Sequence, residues 1–353
     1  MKDSEAVDFL EALVRTQSVS RHEAEAVRMF VETAARLGCD AGTDEVGNAV
    51  ARVGDAGPRI VLLGHIDTVP GVVEVRREDG RLFGRGSVDA KGPLVAFLAA
   101  ASRANATGKL GCRVEVVGCV EEEVSSSRGA HYRATQPAPE ACIVGEPSGW
   151  QGITIGYKGF VRLKLRQRAA LGHTAGPQGS LPGEACRTWT QVETQAEQLV
   201  EPDAPLFERV LTHLETMRHT SDDLFESVEL DAKLRLPVGL GPEQAIAWVR
   251  EVAPTWEVDS EGGVPAWSGS RTTPLARALA RNIRENQGRV RFIRKTGTAD
   301  SNVVAPAWGC PIVAYGPGDS TLDHTPREHI ELAEFCRSVQ VLTDLLCSWN
   351  PSV

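Results

Sequence analysis

Apolar and polar positions follow two different rhythms along this chain, and the rhythm changes near residue 155. Within residues 4–15, Val7, Leu10, Leu13 and Val14 fall at helical spacing, and a second helix is predicted over 22–37, ended by Gly38. Ile60-Val61-Leu62-Leu63 is instead an unbroken apolar run of strand length, the pattern of a strand covered on both faces. Residues 93–104 are apolar and alanine-rich, which predicts a buried helix behind a glycine-rich loop. Residues 114–120 and 142–144 predict two more buried strands. Strands separated by helices point to an α/β domain with a largely parallel sheet flanked by helices.

Beyond residue 155 the period becomes two. Val161, Leu163 and Leu165 alternate with Arg162, Lys164 and Arg166. Val228, Leu230, Ala232, Leu234 and Leu236 alternate with Glu229, Asp231, Lys233 and Arg235. Such strands have one wet face, as in an antiparallel sheet beneath helices, here expected near 184–200 and 243–252. This predicts a smaller α+β domain inserted into the first. From Pro274 the chain returns to helix (274–287), buried strand (312–315) and a long final helix (327–349).

Composition narrows the function classes. A length of 353 residues suits two domains. With 38 basic against 47 acidic residues the net charge is −9, which argues against nucleic acid or an anionic membrane as the main partner. No run approaches the ~18 apolar residues of a transmembrane span. The first residues carry acids where a secretion signal needs a basic start. The eight cysteines are scattered without a Cys-x-x-Cys pair and are expected to be reduced thiols of a cytoplasmic protein. Any metal site must therefore draw on histidines and carboxylates.

Five segments carry such residues where strands end or helices begin, the usual place for α/β sites. His65 and Asp67 follow the apolar run 60–63; His65 suits a metal ligand, with Asp67 orienting its ring. Asp89 lies in the glycine-rich loop 84–92, which has neither the nucleotide P-loop spacing nor a dinucleotide glycine pattern. Glu121, Glu122 and Glu123 follow strand 114–120, and like charges so close need a compensating cation. With a dication nearby, one of them ligates and its neighbour serves as general base. Glu146 ends strand 142–144, and His324 precedes the final helix. Each residue alone has an ordinary structural reading, as a strand-end histidine, a helix cap or a solvated acid. Together, two histidines and three carboxylates make the inventory for two divalent ions bridged by one carboxylate, with donors that suit zinc, cobalt or manganese.

In this order, over almost the whole length, these motifs resemble the co-catalytic metallopeptidases and deacylases that include carboxypeptidase G, aminoacylase, acetylornithine deacetylase and succinyl-diaminopimelate desuccinylase. The resemblance implies a dinuclear-metal catalytic domain over 1–155 and 266–353 and an inserted dimerisation or lid domain over 156–265. Carried over by position, Asp89 bridges both ions, His65 and Glu146 hold one, and Glu123 and His324 hold the other. Asp67 orients His65 and Glu122 is the general base, although three consecutive acids leave a one-residue shift to Glu121 open. In the inserted domain, His173 in Gly172-His173-Thr174-Ala175-Gly176-Pro177 resembles a His-x-x-x-Pro turn that helps hold the oxyanion across a homodimer. Arg235 matches an arginine ending a lid strand. Gly297-Thr298-Ala299-Asp300 resembles a Gly-Thr-Ser-Asp loop that touches the substrate, with Ala299 in place of serine.

Finer features resemble one branch: Glu146-Pro147-Ser148-Gly149-Trp150, Gly156-Tyr157-Lys158-Gly159 and Leu322-Asp323-His324-Thr325-Pro326. Its members release lysine, sometimes ornithine, from the γ-carboxyl of a glutamate ending a small acidic amino-group carrier protein, LysW, in lysine synthesis through aminoadipate. An acidic carrier calls for a basic docking face, and Arg289, Arg291, Arg294 and Lys295 or Arg162, Lys164, Arg166 and Arg168 are the candidates. The rival readings are an acetylornithine deacetylase, a desuccinylase, a general aminoacylase, a dipeptidase, and an inactive member acting as a binding protein.

Overall fold

The structure is a computed structural model that describes residues 1–173, 175 and 179–350. The chain divides into two compact units, each with its own apolar core. The first comprises residues 1–155, 269–293 and 299–353; the second comprises 156–268 and 294–298. Residues 266–268 and 294–298, expected in the first domain, pack with the second. Trp267 and Ser268 pair with Tyr157 and Gly156 there, and the Lys295 carbonyl accepts the Lys158 N–H at 3.3 Å.

In the first unit a mixed sheet runs in the order Asp40–Thr43, Ala49–Val53, Arg113–Cys119, Arg59–His65, Ala141–Val144, Ile312–Ala314 and the 152–155 part of Gly152–Tyr157. Its centre is parallel: Arg59–His65 lies between Arg113–Cys119 and Ala141–Val144, and all three point the same way. The run at 60–63 is fully buried, as an unbroken apolar pattern requires. The Lys91–Ala106 helix packs on the two strands ending at His65 and Cys119. It is covered in turn by the Leu332–Ser348 and Asp3–Arg15 helices, which explains why it has no polar face.

The final helix starts at Leu332, not 327, because His329–Glu331 forms a strand against Arg81–Phe83 and fully buries Ile330. Pairing with that edge outweighs helical continuation. The second unit holds a four-stranded antiparallel sheet, Leu211–Ser221, Phe225–Leu236, Gly159–Ala170 and Glu257–Val264 in that order. Helices Leu181–Gln198 and Pro242–Val252 pack on it. The alternation at 161–165 and 228–236 divides the faces as expected, with the apolar set in the core. This is an α/β domain with an inserted α+β domain. No helix among the described residues is long and apolar enough to cross a membrane, and all eight cysteines are unpaired.

Candidate metal centre

Three neighbouring parallel strands deliver most of the polar side chains from their carboxyl ends. One strand ends at His65; the next runs through Val120 into Glu121, Glu122 and Glu123; the third leads into buried Glu146. Asp89 comes from the loop heading the Lys91–Ala106 helix, and His324 from the loop before His329–Glu331.

Asp89 is where they meet. His65 Nε2 is 3.1 Å from its Oδ1, and His324 Nε2 is 3.0 Å from its Oδ2. His324 Nε2 also lies 3.1 Å from Glu123 Oε1, and Glu122 Oε2 lies 4.0 Å from His65 Nε2. His65, Asp89 and Glu123 can each offer a ligand atom with all three atoms within 4.8 Å of one another. The two oxygens of one carboxylate thus face two different imidazoles.

Asp67 organises this end of the sheet from below. Fully buried, its Oδ1 lies 3.3 Å from His65 Nδ1, so the ring directs Nε2 towards Asp89. The same carboxylate accepts the N–H groups of Glu122 at 3.1 Å and Glu123 at 3.0 Å, and the Ser20 hydroxyl at 2.7 Å. Glu121, by contrast, has φ +60 and turns to other partners. Its carboxylate accepts the Ser126 hydroxyl at 2.6 Å and lies 3.7 Å from Arg21 and 3.6 Å from Arg128. Of the acidic triplet, Glu122 and Glu123 face the imidazoles.

The charge balance shows what such a cluster needs. Burial pushes the Glu122 carboxyl well above its ordinary range; His65 opposes this, while Asp300, Glu146 and Glu123 add to it. Burial and the Asp89 charge likewise raise Glu123. Burial would raise Asp89 too, but hydrogen bonds from His324 and His65 outweigh it and hold that carboxyl low. His324 is pushed up to about 10 by its hydrogen bonds to Asp89 and Glu123. Two imidazoles cannot balance the charges of Asp67, Asp89, Glu122, Glu123 and Glu146, and removing carboxylates from water without cations is costly. Nitrogen and oxygen donors, a shared carboxylate and a carboxylate-oriented histidine fit a pair of divalent ions.

The other expected residues lie in the second unit. Arg235 Nη1 donates to Thr298 Oγ1 at 2.7 Å, and that hydroxyl donates to the Lys158 carbonyl at 3.1 Å, with Gly297 adjacent in the chain. Arg235 and Thr298, far apart in sequence, are therefore brought together. His173 is exposed, and its Nδ1 accepts the Ala175 N–H at 3.1 Å; Thr174, Gly176 and Pro177 of that motif lie outside the described residues.

Two contributors, Ser20 and Glu328, were not anticipated, and Asp300 was expected only as part of the 297–300 substrate loop. Ser20 reaches Asp67 because Val19 bridges to Thr68, a contact with no local sequence signal. Asp300 is buried beside Cys119, and burial pushes its carboxyl up to about 7. Glu328 holds the Asp89 loop, and its place four residues after His324 was a usable clue.

The sequence matches the model of peptidase family M20/M25/M40 over residues 61–348. The LysW-lysine hydrolase of Deinococcus radiodurans is 40% identical over 347 residues, covering 97% of this chain and 96% of its own. The LysW-lysine/LysW-ornithine hydrolase of Saccharolobus solfataricus is 28% identical over 275 residues, 78% of this chain and 77% of its own. Among solved structures, a Staphylococcus aureus tripeptidase has a TM-score of 0.79 at 16% identity, covering 98% of both chains. The M20 metallo-carboxypeptidase Sso-CP2 of Sulfolobus solfataricus has a TM-score of 0.76 at 16% identity, covering 98% of this chain and 99% of its own. At those identities the likeness is one of fold.

Proposed function

Because the chain belongs to the M20/M25/M40 peptidase family, matched over 61–348, we propose that it is the hydrolase that frees lysine, or ornithine, from the γ-glutamyl C-terminus of a LysW-type acidic carrier protein. The class, a metal-dependent amide hydrolase, follows from the family. The carrier substrate is drawn from the relatives' names and from the Deinococcus radiodurans relative's match over 97% of the chain. The observation that carries the chemistry is the Asp89 carboxylate, with one oxygen towards His65 and the other towards His324.

In this reading His65 and Glu146 would hold one ion, Glu123 and His324 would hold the second, and Asp89 would serve both. Zinc is the expected metal, with cobalt or manganese compatible with the donors. Bound dications acidify water and polarise an amide carbonyl. Asp67 fixes the His65 ring. Glu122, buried and with its carboxyl raised, accepts the proton of the attacking water and returns it to the leaving amide nitrogen. Glu121 turns instead to Ser126, which supports Glu122 over its neighbour for that role. His173 is assigned to the oxyanion across a homodimer, and Arg235, Gly297 and Thr298 to the substrate.

Carrier docking is assigned to the basic run at 289–295. The alternative run on the second unit's sheet is neutralised: Lys164 pairs with Glu261 at 2.9 Å, Arg166 with Glu229 at 2.8 Å and Arg168 with Asp222 at 3.7 Å. The deciding assay offers the zinc-loaded enzyme carrier-linked lysine, acetylornithine, succinyl-diaminopimelate and simple dipeptides. Carrier-linked lysine should be cleaved with the highest kcat/KM. Turnover of acetylornithine with none of the carrier conjugate would make the protein a deacetylase instead.

A further inference from the structure

Glu328 has no exposed surface and no part in the chemistry above, yet its carboxylate is fully engaged. Oε1 accepts the N–H groups of Gly86 at 2.9 Å, Val88 at 3.1 Å and Asp89 at 3.3 Å. Oε2 accepts from Arg85 Nη1 at 2.6 Å, and the Glu328 carbonyl accepts the Gly84 N–H at 3.2 Å. One residue thus holds five of the six positions from 84 to 89, all but Ser87. Four positions before it in the chain stands His324, and Arg85 returns the connection by donating Nη2 to the His324 carbonyl at 3.4 Å. The loop has little slack: Gly86 has φ +83, and a Cβ there would lie 2.7 Å from Thr68 Cγ2.

From this cross-link we infer that Glu328 is a positioning residue. It sets the placement of the shared Asp89 carboxylate against His324, and through it how tightly both ions are held. The inference rests on the two-metal reading. In that reading Asp89 would serve both ions, so a small shift of its loop would loosen both together. His65 needs no such help, being fixed by the sheet and Asp67.

Ordinary satisfaction of buried N–H groups would cost stability alone when Glu328 is changed. Positioning costs metal affinity in protein that is still folded. A glutamine keeps one oxygen for the three N–H groups but turns an NH2 towards Arg85, whereas alanine leaves the N–H groups unpaired. The test measures zinc affinity of the full-length chain by chelator competition, well below each variant's Tm. Changing a residue that orients a metal ligand costs about 10–100-fold in metal affinity. Affinity should therefore fall about tenfold in Glu328→Gln and about a hundredfold in Glu328→Ala, for both ions together. Glu115→Gln is the control: Glu115 is buried near the opposite end of its strand, with Arg52 at 2.9 Å and Arg133 at 2.8 Å. It should lower Tm and leave zinc affinity alone. If the alanine variant does not fold, the glutamine variant carries the test. Wild-type affinity in Glu328→Gln, or an equal loss in Glu115→Gln, overturns the inference while the wild type still takes up two zinc ions. A wild type that takes up none overturns the two-metal reading itself.

Discussion

His65 and His324 present the same nitrogen to the same carboxylate, at 3.1 and 3.0 Å, and share little else. The His65 side chain is 2% exposed at the end of a central strand, with Asp67 behind its other nitrogen. The His324 side chain is 49% exposed, on a loop residue with φ +59. One half of the centre is built into the sheet; the other depends on how a loop is held. The difference teaches that the two proposed half-sites rest on different supports, core packing on one side and a few hydrogen bonds on the other, and that the two should fail differently.

The largest effect should come from Glu122, the proposed general base. Glu122→Gln keeps the shape but cannot accept a proton, so kcat should fall by up to about 10⁴-fold. Zinc content, measured by elemental analysis, should stay at the wild-type value. An active variant would remove Glu122 from its role.

The histidines should separate next. His324→Ala opens a gap to solvent, so added imidazole should restore part of a loss in metal affinity of at least about 100-fold, the upper end of what changing a group behind a ligand costs. His65→Ala leaves its gap inside the sheet, and imidazole should restore nothing. Equal rescue of both would erase the contrast.

The smallest effect concerns the buried floor on the His65 side. Asp300, near Cys119, Asp67 and His65, has its carboxyl raised from 3.8 to about 7, chiefly by burial. The folded chain therefore binds more protons than the unfolded one between those values. The stability contributed by the neutral carboxyl is complete below about pH 4 and lost as pH rises through 7. In the metal-free protein, Tm should decline over that window, and Asp300→Asn should flatten part of the decline. An unchanged slope would contradict the assignment of that proton to Asp300.

Much of this was legible in the sequence because its signals are local. The continuous run at 60–63 marked a central strand, and the alternation at 228–236 marked a strand with one wet face. His65, Asp89 and Glu123 were each visible beside a strand end or a glycine-rich turn, and His324 just before the final helix. Non-local facts were hidden. Which glutamate of the triplet faces the centre depends on the backbone turn at Glu121 and on Ser126. Ser20 becomes relevant through a single bridge to Thr68. The strand at 329–331 interrupts what periodicity extends as helix, because its partner lies near residue 82. The strand Leu211–Ser221 was missed because, at the sheet edge, it is mostly exposed and gives no clean alternation.

The central claim is that one carboxylate joins two half-sites, and anomalous diffraction from zinc-loaded crystals tests it most directly. Two zinc peaks should flank Asp89, one beside His65 and one beside His324, and both should vanish in Asp89→Ala. A single peak, or two that survive the loss of Asp89, would contradict the account.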